Sequence, residues 1–160
     1  MSNLYVDNIV EKTTGAGVHI PGHVIQYQQR VFDLAGFQTT SGSMVAVSNV
    51  YVDITPKFSN SLIRFQTQIL GKNASSTGYA RFDVVDSSNS NTRFNPNAYA
   101  EGAFYESTGW DTAVIHCLNT ANTTNTMRLQ LRVLVGSTGT VNLAWSGSDS
   151  RHVEVWEIAQ

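Results

Sequence analysis

Strict alternation of apolar and polar residues is the clearest pattern in this chain. The stretch "RLQLRVLV" would place Leu129, Leu131, Val133 and Val135 on one face of a strand and Arg128, Gln130 and Arg132 on the other. In "SLIRFQTQIL" the same period groups Ile63, Phe65 and Ile69 against Arg64, Gln66 and Gln68, and in "MVAVSNVYVDIT" it groups Met44, Ala46, Val50, Val52 and Ile54. A period of two is typical of a β-strand that buries one face and exposes the other.

Further strands are predicted at residues 23–32, 79–85, 113–118, 141–145 and 152–158. They are separated by turn-rich stretches such as "DSSNSN", "NTANTTNT" and "GSTG". No window of about 12 residues has the period of a helix. About eight strands joined by short polar turns, without alternating helices, predict an all-β fold, an antiparallel β-sandwich of the jelly-roll type.

The final predicted strand, "HVEVWEIAQ", is apolar on both faces. Val153 and Val155 would lie on one face, and Trp156 and Ile158 on the other. A strand of this kind is expected to pair inside the fold or at an interface, because both of its faces need cover.

Residues 1–22 have a different pattern, so we divide the chain into a leader (1–22) and a sandwich domain (23–160). Two short apolar runs in the leader are broken by "TTGAG" and closed by Pro21 and Gly22. A segment this short cannot bury its own apolar side chains, which are Leu4, Val6, Ile9, Val10, Val18 and Ile20. The leader is therefore expected either to add an edge strand to its own domain or to anchor the protein on another subunit.

Composition narrows the classes of partner. The 160 residues suffice for one domain with its own core, and the net charge of −2 comes from scattered side chains. Such a chain lacks the basic patch that nucleic acid or an anionic membrane surface would require, so neither is an expected partner. Charged residues make up 14% of the chain, against roughly 25% in an average domain. Polarity is carried instead by Ser, Thr, Asn and Gly, which suits a rigid scaffold or an assembly component.

The cellular context follows from what the sequence lacks. The start "MSNLYVDNIVEKTTGAG" has no signal-peptide pattern, and no apolar run approaches the ~20 residues of a membrane span. Synthesis in a cytoplasm is expected. The single cysteine, Cys117, excludes an internal disulfide, so stability must come from packing or from partner chains.

Three stretches together resemble a known family. They are the opening "LYVDNIVEKTTGAGVHIPGHVIQ", the middle "YVDITPKFSNSLIRFQTQI" and the ending "VEVWEIAQ". This set resembles small β-sandwich virion structural proteins, often tail-fibre-like, of tailed bacteriophages, many of them marine or cyanobacterial. The matching positions are Val6, Ile9, Thr14, Gly15, Ile20, Pro21 and Gly22, then residues 54–57 with Ser61, then residues 156–159.

The resemblance implies a non-enzymatic virion component, synthesised in the host cytoplasm and forming a homotrimer. It would sit on the capsid, neck or tail, as a capsid decoration or as a short fibre, with other virion proteins as partners. One departure is visible. Relatives often carry an "R-D-G" hairpin where this chain has the longer, aromatic-containing "FDVVDSSNSNTRFNPNAYAEGAFYESTGW".

Histidine and cysteine spacing argues against a metal site. Pro21 and Gly22 separate His19 from His23, so the two rings do not share a helical turn, and in a strand His116 and Cys117 point to opposite faces. We expect neither metal nor cofactor. The remaining route would bring three copies of His19 or His23 together on a three-fold axis.

Sequence motifs for catalysis are also absent. There is no nucleophile elbow, phosphate-binding glycine loop or zinc-protease helix motif. The acidic residues of the middle region are predicted to lie in turns without paired partners: Asp83, Asp86, Glu101, Glu106 and Asp111. We therefore expect no enzymatic activity.

The stretch "RFNPNAYAEGAFYESTGWD" is the strongest candidate for a ligand or interface loop. It holds five aromatic residues without a clean period: Phe94, Tyr99, Phe104, Tyr105 and Trp110. Exposed rings stack on sugars or anchor interfaces, whereas most aromatic rings in a small domain are buried. Packing at the end of the sandwich or between subunits is the favoured interpretation. The alternative function is a receptor-binding module that grips a host surface glycan through this loop.

Overall fold

The computed structural model describes residues 10, 20–34, 36–73, 78–95, 102–105, 109–136, 138–143 and 151–160. The described part contains strands and turns and no helix. In chain order the strands are β1 (Val24–Phe32), β2 (Phe37–Thr39), β3 (Val45–Ile54), β4 (Leu62–Asn73), β5 (Tyr79–Asp86), β6 (Thr92–Arg93), β7 (Gly102–Tyr105), β8 (Asp111–Thr120), β9 (Met127–Gly136), β10 (Val141–Leu143) and β11 (Arg151–Ile158). The eight predicted strands are present, and the pattern missed only β2, β6 and β7, each too short to show a period.

These strands form two antiparallel sheets packed face to face, so the predicted sandwich is confirmed. In the front sheet the order is β1, β11, β4, with β8 on the other side of β4. β11 pairs with residues 62–67 of β4, and β10 pairs with residues 71–73 of the same strand. The other edge of β10 pairs with β2. The back sheet has the order β3, β9, β5, and both β6 and β7 pair with β5.

The core lies between the two sheets and is formed by the faces that alternation predicted. Ile63, Phe65 and Ile69 of β4 are fully buried, opposite Leu129 and Leu131 of β9. Inward apolar side chains from both sheets form one continuous cluster. This packing supplies most of the burial that stabilises a domain without disulfides.

In β3 the predicted grouping was wrong in its first half. Ala46 pairs with Arg132, but Tyr51 already pairs with Gln130, so β3 contains extra residues that its partner lacks. This β-bulge reverses the alternation, because Val47 and Val50 are both fully buried while Ala46 is exposed and Met44 is only half-buried. The extra residues leave unpaired carbonyls. Gln130 Nε2 donates to the carbonyls of Val47 at 2.7 Å and Val50 at 3.0 Å.

Described residues from each of the three stretches that carry the family resemblance meet at one end of the sandwich. Glu157 of β11 is fully buried, and its carboxylate accepts hydrogen bonds from the backbone N–H groups of Lys57 at 2.8 Å and Phe58 at 3.0 Å. Gln26 Nε2 donates to the same carboxylate at 2.6 Å. Next along the chain, Ala159 exchanges backbone hydrogen bonds with Gly22 and His23. We call this arrangement of Glu157 with its three donors the carboxylate clamp.

A polar seam closes the open edge of the sandwich between β1 and β3. Arg30 Nη1 donates to the Asn49 carbonyl at 2.7 Å, and its guanidinium lies 3.6 Å from the Tyr51 ring centre. Gln26 Nε2 donates to the Thr55 carbonyl at 2.7 Å. Side chains of β1 thus satisfy one carbonyl on the edge strand β3 and one just after it, at an edge that would otherwise be open to pairing with another chain.

Candidate functional site

The outward face of the back sheet is a network of paired charges. Arg132 binds the carboxylate of Asp83 through two hydrogen bonds, of 2.9 and 2.6 Å, and Arg93 lies 3.3 Å from the same group. Arg128 forms a similar two-bond pair with Asp53, which raises the pKa of the arginine. Both described carboxylates on this face are therefore bound by arginine within the subunit.

Two of the acidic residues considered for catalysis, Asp83 and Asp86, have structural contacts. Asp83 and Asp86 belong to β5 and Asp111 begins β8, so their predicted placement in turns was wrong. Asp83 is 1% exposed and paired with arginine, and Asp86 accepts hydrogen bonds from the backbone N–H groups of Ser88 and Arg128. Glu101 and Glu106 lie outside the described residues.

Large exposed apolar side chains are concentrated on the opposite side of the molecule. Among the described residues of the sandwich, the exposed ones are Val24, Tyr27 and Val31 of β1 and Val114 and Leu118 of β8. All five point outward from the front sheet, in register with outward residues of β11 and β4. We call this surface, the outward side chains of β1, β11, β4 and β8, the front face.

The strand register sorts the front face into rows. Tyr27, Trp156, Arg64 and Leu118 face one another across the four strands. The Tyr27 and Trp156 ring centres are 5.4 Å apart at an interplanar angle of 46°, and the Arg64 guanidinium lies 5.0 Å from the Trp156 ring centre. Val24, Ile158 and Leu62 form the adjacent row, nearest the end where the carboxylate clamp lies. These two rows make an apolar and aromatic stripe across the sheet.

A polar row crosses the middle of the front face, from Gln29 through Glu154 and Gln66 to His116. The Tyr27 hydroxyl donates to Glu154 at 2.7 Å, and this hydrogen bond raises the pKa of the tyrosine. On the other side, Arg64 Nε donates to His116 Nε2 at 3.1 Å. Beyond this row lie the exposed valines, Val31 at one edge and Val114 at the other.

The predicted aromatic loop is only partly described. Phe94 is 3% exposed, so its ring belongs to the core and is not available to a surface ligand. Phe104 and Tyr105 lie in β7, while Trp110 is half-buried with Lys72 Nζ 5.2 Å from its ring centre. Tyr99 lies outside the described residues, so the loop stays a prediction.

Within the predicted leader, only residue 10 and residues 20–22 are described. Val10 is 75% exposed and Ile20 42% exposed. The other residues assigned to anchoring, Leu4, Val6, Ile9 and Val18, lie outside the described part. Pro21 and Gly22 form the expected turn, closed by the hydrogen bond from His23 N to the Ile20 carbonyl, with Gly22 at a φ of +82°. Anchoring by the leader stays a prediction.

The described residues offer little that would suit a metal ion or a small ligand. They contain no group of three histidine, cysteine or carboxylate side chains that could hold a metal. His116 is exposed and Cys117 is 2% exposed, on opposite faces of β8 as predicted. A cleft of about 260 Å³ lies beside Asp53, Ser88 and Arg128, but the carboxylate and guanidinium there already bind each other. Within the described part, no helix is long and apolar enough to span a membrane.

Comparison with known proteins gives matches among solved structures only. No family model and no curated protein matches the chain. The Eiger TNF of S. frugiperda is 8% identical with a TM-score of 0.45, over 84% of this chain and 92% of that one. T=1 particles derived from infectious bursal virus give 10% identity and a TM-score of 0.49, and the VP2 subviral particle of infectious bursal disease virus gives 11% and 0.45. Each viral match covers 84% of this chain, which spans only 36% and 37% of those chains.

Proposed function

We propose that this protein is a non-enzymatic structural component of a tailed-bacteriophage particle that assembles with copies of itself through the front face. The observation that carries the proposal is the contrast between the two outward faces. The carboxylates of the back face are bound by arginines within the subunit, whereas the front face exposes Tyr27, Val31, Val114 and Leu118 to solvent. Several exposed apolar side chains on one face of a sheet are characteristic of protein interfaces.

The dimensions of the front face suit a partner of the same size. Four strands about 4.8 Å apart, with ten paired residues along β4 and β8, cover a projected area of roughly 600 Å². Side chains add relief to this area, and stable interfaces bury about 800 Å² on each partner. The front face is therefore large enough to supply a substantial part of the contacts with neighbouring copies.

Charge and symmetry favour a second copy of this chain as the occupant. The front face carries both Arg64 and Glu154, so two such faces can meet without a net charge. A symmetry axis parallel to the strands would bring each row to the same row of its neighbours, apolar against apolar and polar against polar. We propose a homotrimer, which the family resemblance implies, with residues 1–22 anchoring it to the capsid, neck or tail.

Glycan binding on the front face is the competing function, and the exposed Tyr27 ring is the observation that favours it. A sugar-stacking platform requires an open ring face, or several rings in one plane. Here the Tyr27 and Trp156 rings are tilted by 46°, and the Arg64 guanidinium lies over Trp156. This geometry supports a protein interface better than a sugar platform.

Replacing Leu118 with glutamate is expected to dissociate the assembly, because it would bury a carboxylate at the interface. Leu118 is 42% exposed in the subunit, so the change should not unfold it. Light scattering coupled to size exclusion should give three times 17.5 kDa for the wild type and 17.5 kDa for Leu118→Glu. Asn89→Glu, in an exposed turn of the back sheet, is the matched control and should keep the wild-type mass. A Leu118→Glu variant that stays assembled would contradict an interface at the front face.

Quantitative peptide mass spectrometry on purified particles tests the virion role directly. We expect this protein to be present at a fixed ratio to the major capsid protein. Hundreds of copies per particle would indicate a capsid decoration, and a few to a few tens a neck or tail appendage. Absence from particles would refute the virion role even if the chain forms trimers in solution.

A further inference from the structure

The most exposed apolar side chains of the front face lie on its two edge strands. Tyr27 and Val31 belong to β1, and Val114 and Leu118 belong to β8. These four side chains are between 42% and 62% exposed, whereas Trp156 on the central strand β11 is half-buried. A partner that covers most of the exposed apolar surface must therefore contact both edges of the face.

The strand register places these edge residues in two matching rows. Tyr27 and Leu118 are the two ends of the aromatic row. Val31 and Val114 are the two ends of another row, four residues away along each edge strand. If β1 of one copy lies beside β8 of the next copy, an axis parallel to the strands keeps each row at its own height. Each apolar end of a row then meets the apolar end of the same row in the neighbour.

The polar row between these two rows has an amide at one edge and an imidazole at the other. Gln29 ends it on β1, and His116 ends it on β8. His116 accepts from Arg64 through Nε2, which leaves an N–H at Nδ1 to donate to the amide oxygen of a neighbour's Gln29. The charged groups of this region, Arg64 and Glu154, lie on the central strands. A contact between the edges therefore avoids burying an unpaired charge, which would be strongly unfavourable.

The width of the front face fits a ring of three copies. Four strands about 4.8 Å apart make a face roughly 19 Å wide. Three such faces closed into a triangle place the axis about 5–6 Å in front of each sheet, whereas four faces would place it about 10 Å away. Sheets packed face to face lie about 10 Å apart, so each side-chain layer fills about 5 Å. Three copies would thus bring the outward side chains of β11 and β4 together at the axis without an empty channel.

We propose that the homotrimer closes through a head-to-tail contact in which β1 of each subunit lies beside β8 of the next. This pairing rests on the proposed function. It places Val31 against Val114 of the neighbouring subunit, and Tyr27 against Leu118 of the same neighbour. The contact joins two different edges, so it repeats around the axis until the ring closes, and every edge of the front face is then covered.

Cysteine cross-linking tests the pairing in the full chain. In Val31→Cys/Val114→Cys, a bismaleimide shorter than the spacing between the two rows should link subunits into species of up to three times 17.5 kDa. Val31→Cys/Leu118→Cys is the matched control. Its cysteines would lie in different rows, about 13 Å apart along the strands, so it should give little product. Cys117 is buried in every variant, and the unmutated chain measures its background.

Charge substitution gives a second readout that requires no cross-linker. Val31→Glu and Val114→Lys should each weaken association by about tenfold or more, because each places an unpaired charge in the contact. The double variant Val31→Glu/Val114→Lys sets opposite charges side by side and should recover most of this loss, as measured by sedimentation equilibrium. Val31→Glu/Val114→Glu keeps like charges together and should recover none of it.

Light scattering on the same proteins before cross-linking distinguishes this contact from the proposed function. A trimeric wild type in which the matched cysteine pair links no better than the control would overturn the contact and leave self-assembly standing. Matched-pair products that stop at the dimer would overturn closure into a ring of three. A Glu/Lys variant as weak as the Glu/Glu variant would also overturn the pairing. A monomeric wild type would refute the proposed function and the contact together.

Discussion

Replacing Glu157 with alanine is expected to lower the free energy of unfolding by about 3–5 kcal/mol, because each hydrogen bond to a buried charged group contributes roughly 1.5–3 kcal/mol. The carboxylate is fully buried and accepts from the backbone N–H groups of Lys57 and Phe58 and from Gln26 Nε2. Alanine would leave these donors without their acceptor and would remove the link between β11 and the loop before β4. Urea denaturation of Glu157→Ala and the wild type measures the difference.

Two further variants show whether the loss of stability in Glu157→Ala comes from the carboxylate clamp. Glu157→Gln keeps an oxygen that can accept from the backbone groups but loses the charge, so we expect a loss of about 1–2 kcal/mol. Asp53→Ala removes a carboxylate whose side chain is 44% exposed and should cost less than about 1 kcal/mol despite its bond to Arg128. A Glu157→Ala variant as stable as Asp53→Ala would show that the clamp contributes nothing specific.

Asp83→Ala is the second substitution with a large expected effect, a loss of about 2–4 kcal/mol in the free energy of unfolding. Removing one partner of a buried ion pair costs roughly 3–5 kcal/mol, because the remaining charge is left uncompensated. Here Arg132 and Arg93 would both lose Asp83, but their side chains are 20% and 32% exposed and can reach water, which reduces the penalty. Chemical denaturation at pH 7 measures the loss.

Further variants distinguish the contribution of the Asp83–Arg132 ion pair to stability from that of side-chain packing. Arg93→Ala should cost less than about 1 kcal/mol, because Asp83 keeps both hydrogen bonds to Arg132. Combining Asp83→Leu with Arg132→Met should recover most of the loss, because an apolar pair of similar volume often replaces a buried ion pair without cost. If Asp83→Ala and Arg93→Ala were equally mild, the charge cluster would not stabilise the back sheet.

Much of the fold was predictable because most strands bury one face. In β4 and β9 the period of two identified the inward residues, and Ile63, Phe65 and Leu129 are fully buried. In β3 the same rule failed, since the bulge depends on Gln130 of β9, which supplies the donors for its carbonyls. The alternation along one strand does not show which hydrogen bonds a side chain on the neighbouring strand will donate to it.

Burial of Glu157 could not be predicted for a similar reason. The sequence shows a carboxylate in a strand, and the N–H groups that satisfy it lie about 100 residues away in the chain. The resemblance singled out both stretches, but it gave no reason for their co-occurrence. In the structure the two stretches are joined by the hydrogen bonds of the carboxylate clamp.

The front face was only partly predictable. Apolar residues on both sides of β11 indicated that its outward side chains need cover, and Trp156 and Ile158 do lie on the front face. The same signal was present in β8, where Val114 and Leu118 alternate with the buried Ile115 and Cys117. The pattern of one strand does not reveal the shared surface, because the exposed apolar side chains come from strands far apart in the chain.

The central place of β11 in the front sheet has a consequence for how the chain folds. Tyr27 of β1 and Glu154 of β11 are hydrogen-bonded across neighbouring strands, although they are 127 positions apart in the chain. Because β11 lies between β1 and β4, these two strands cannot join one sheet until residues 151–158 lie between them. Closing so long a loop is entropically costly and makes sandwich folding slow, on the order of milliseconds to seconds. Until that step two strand edges stay open, and a β11 donated by another molecule could fill the gap, so refolding at high concentration should favour strand-exchanged dimers.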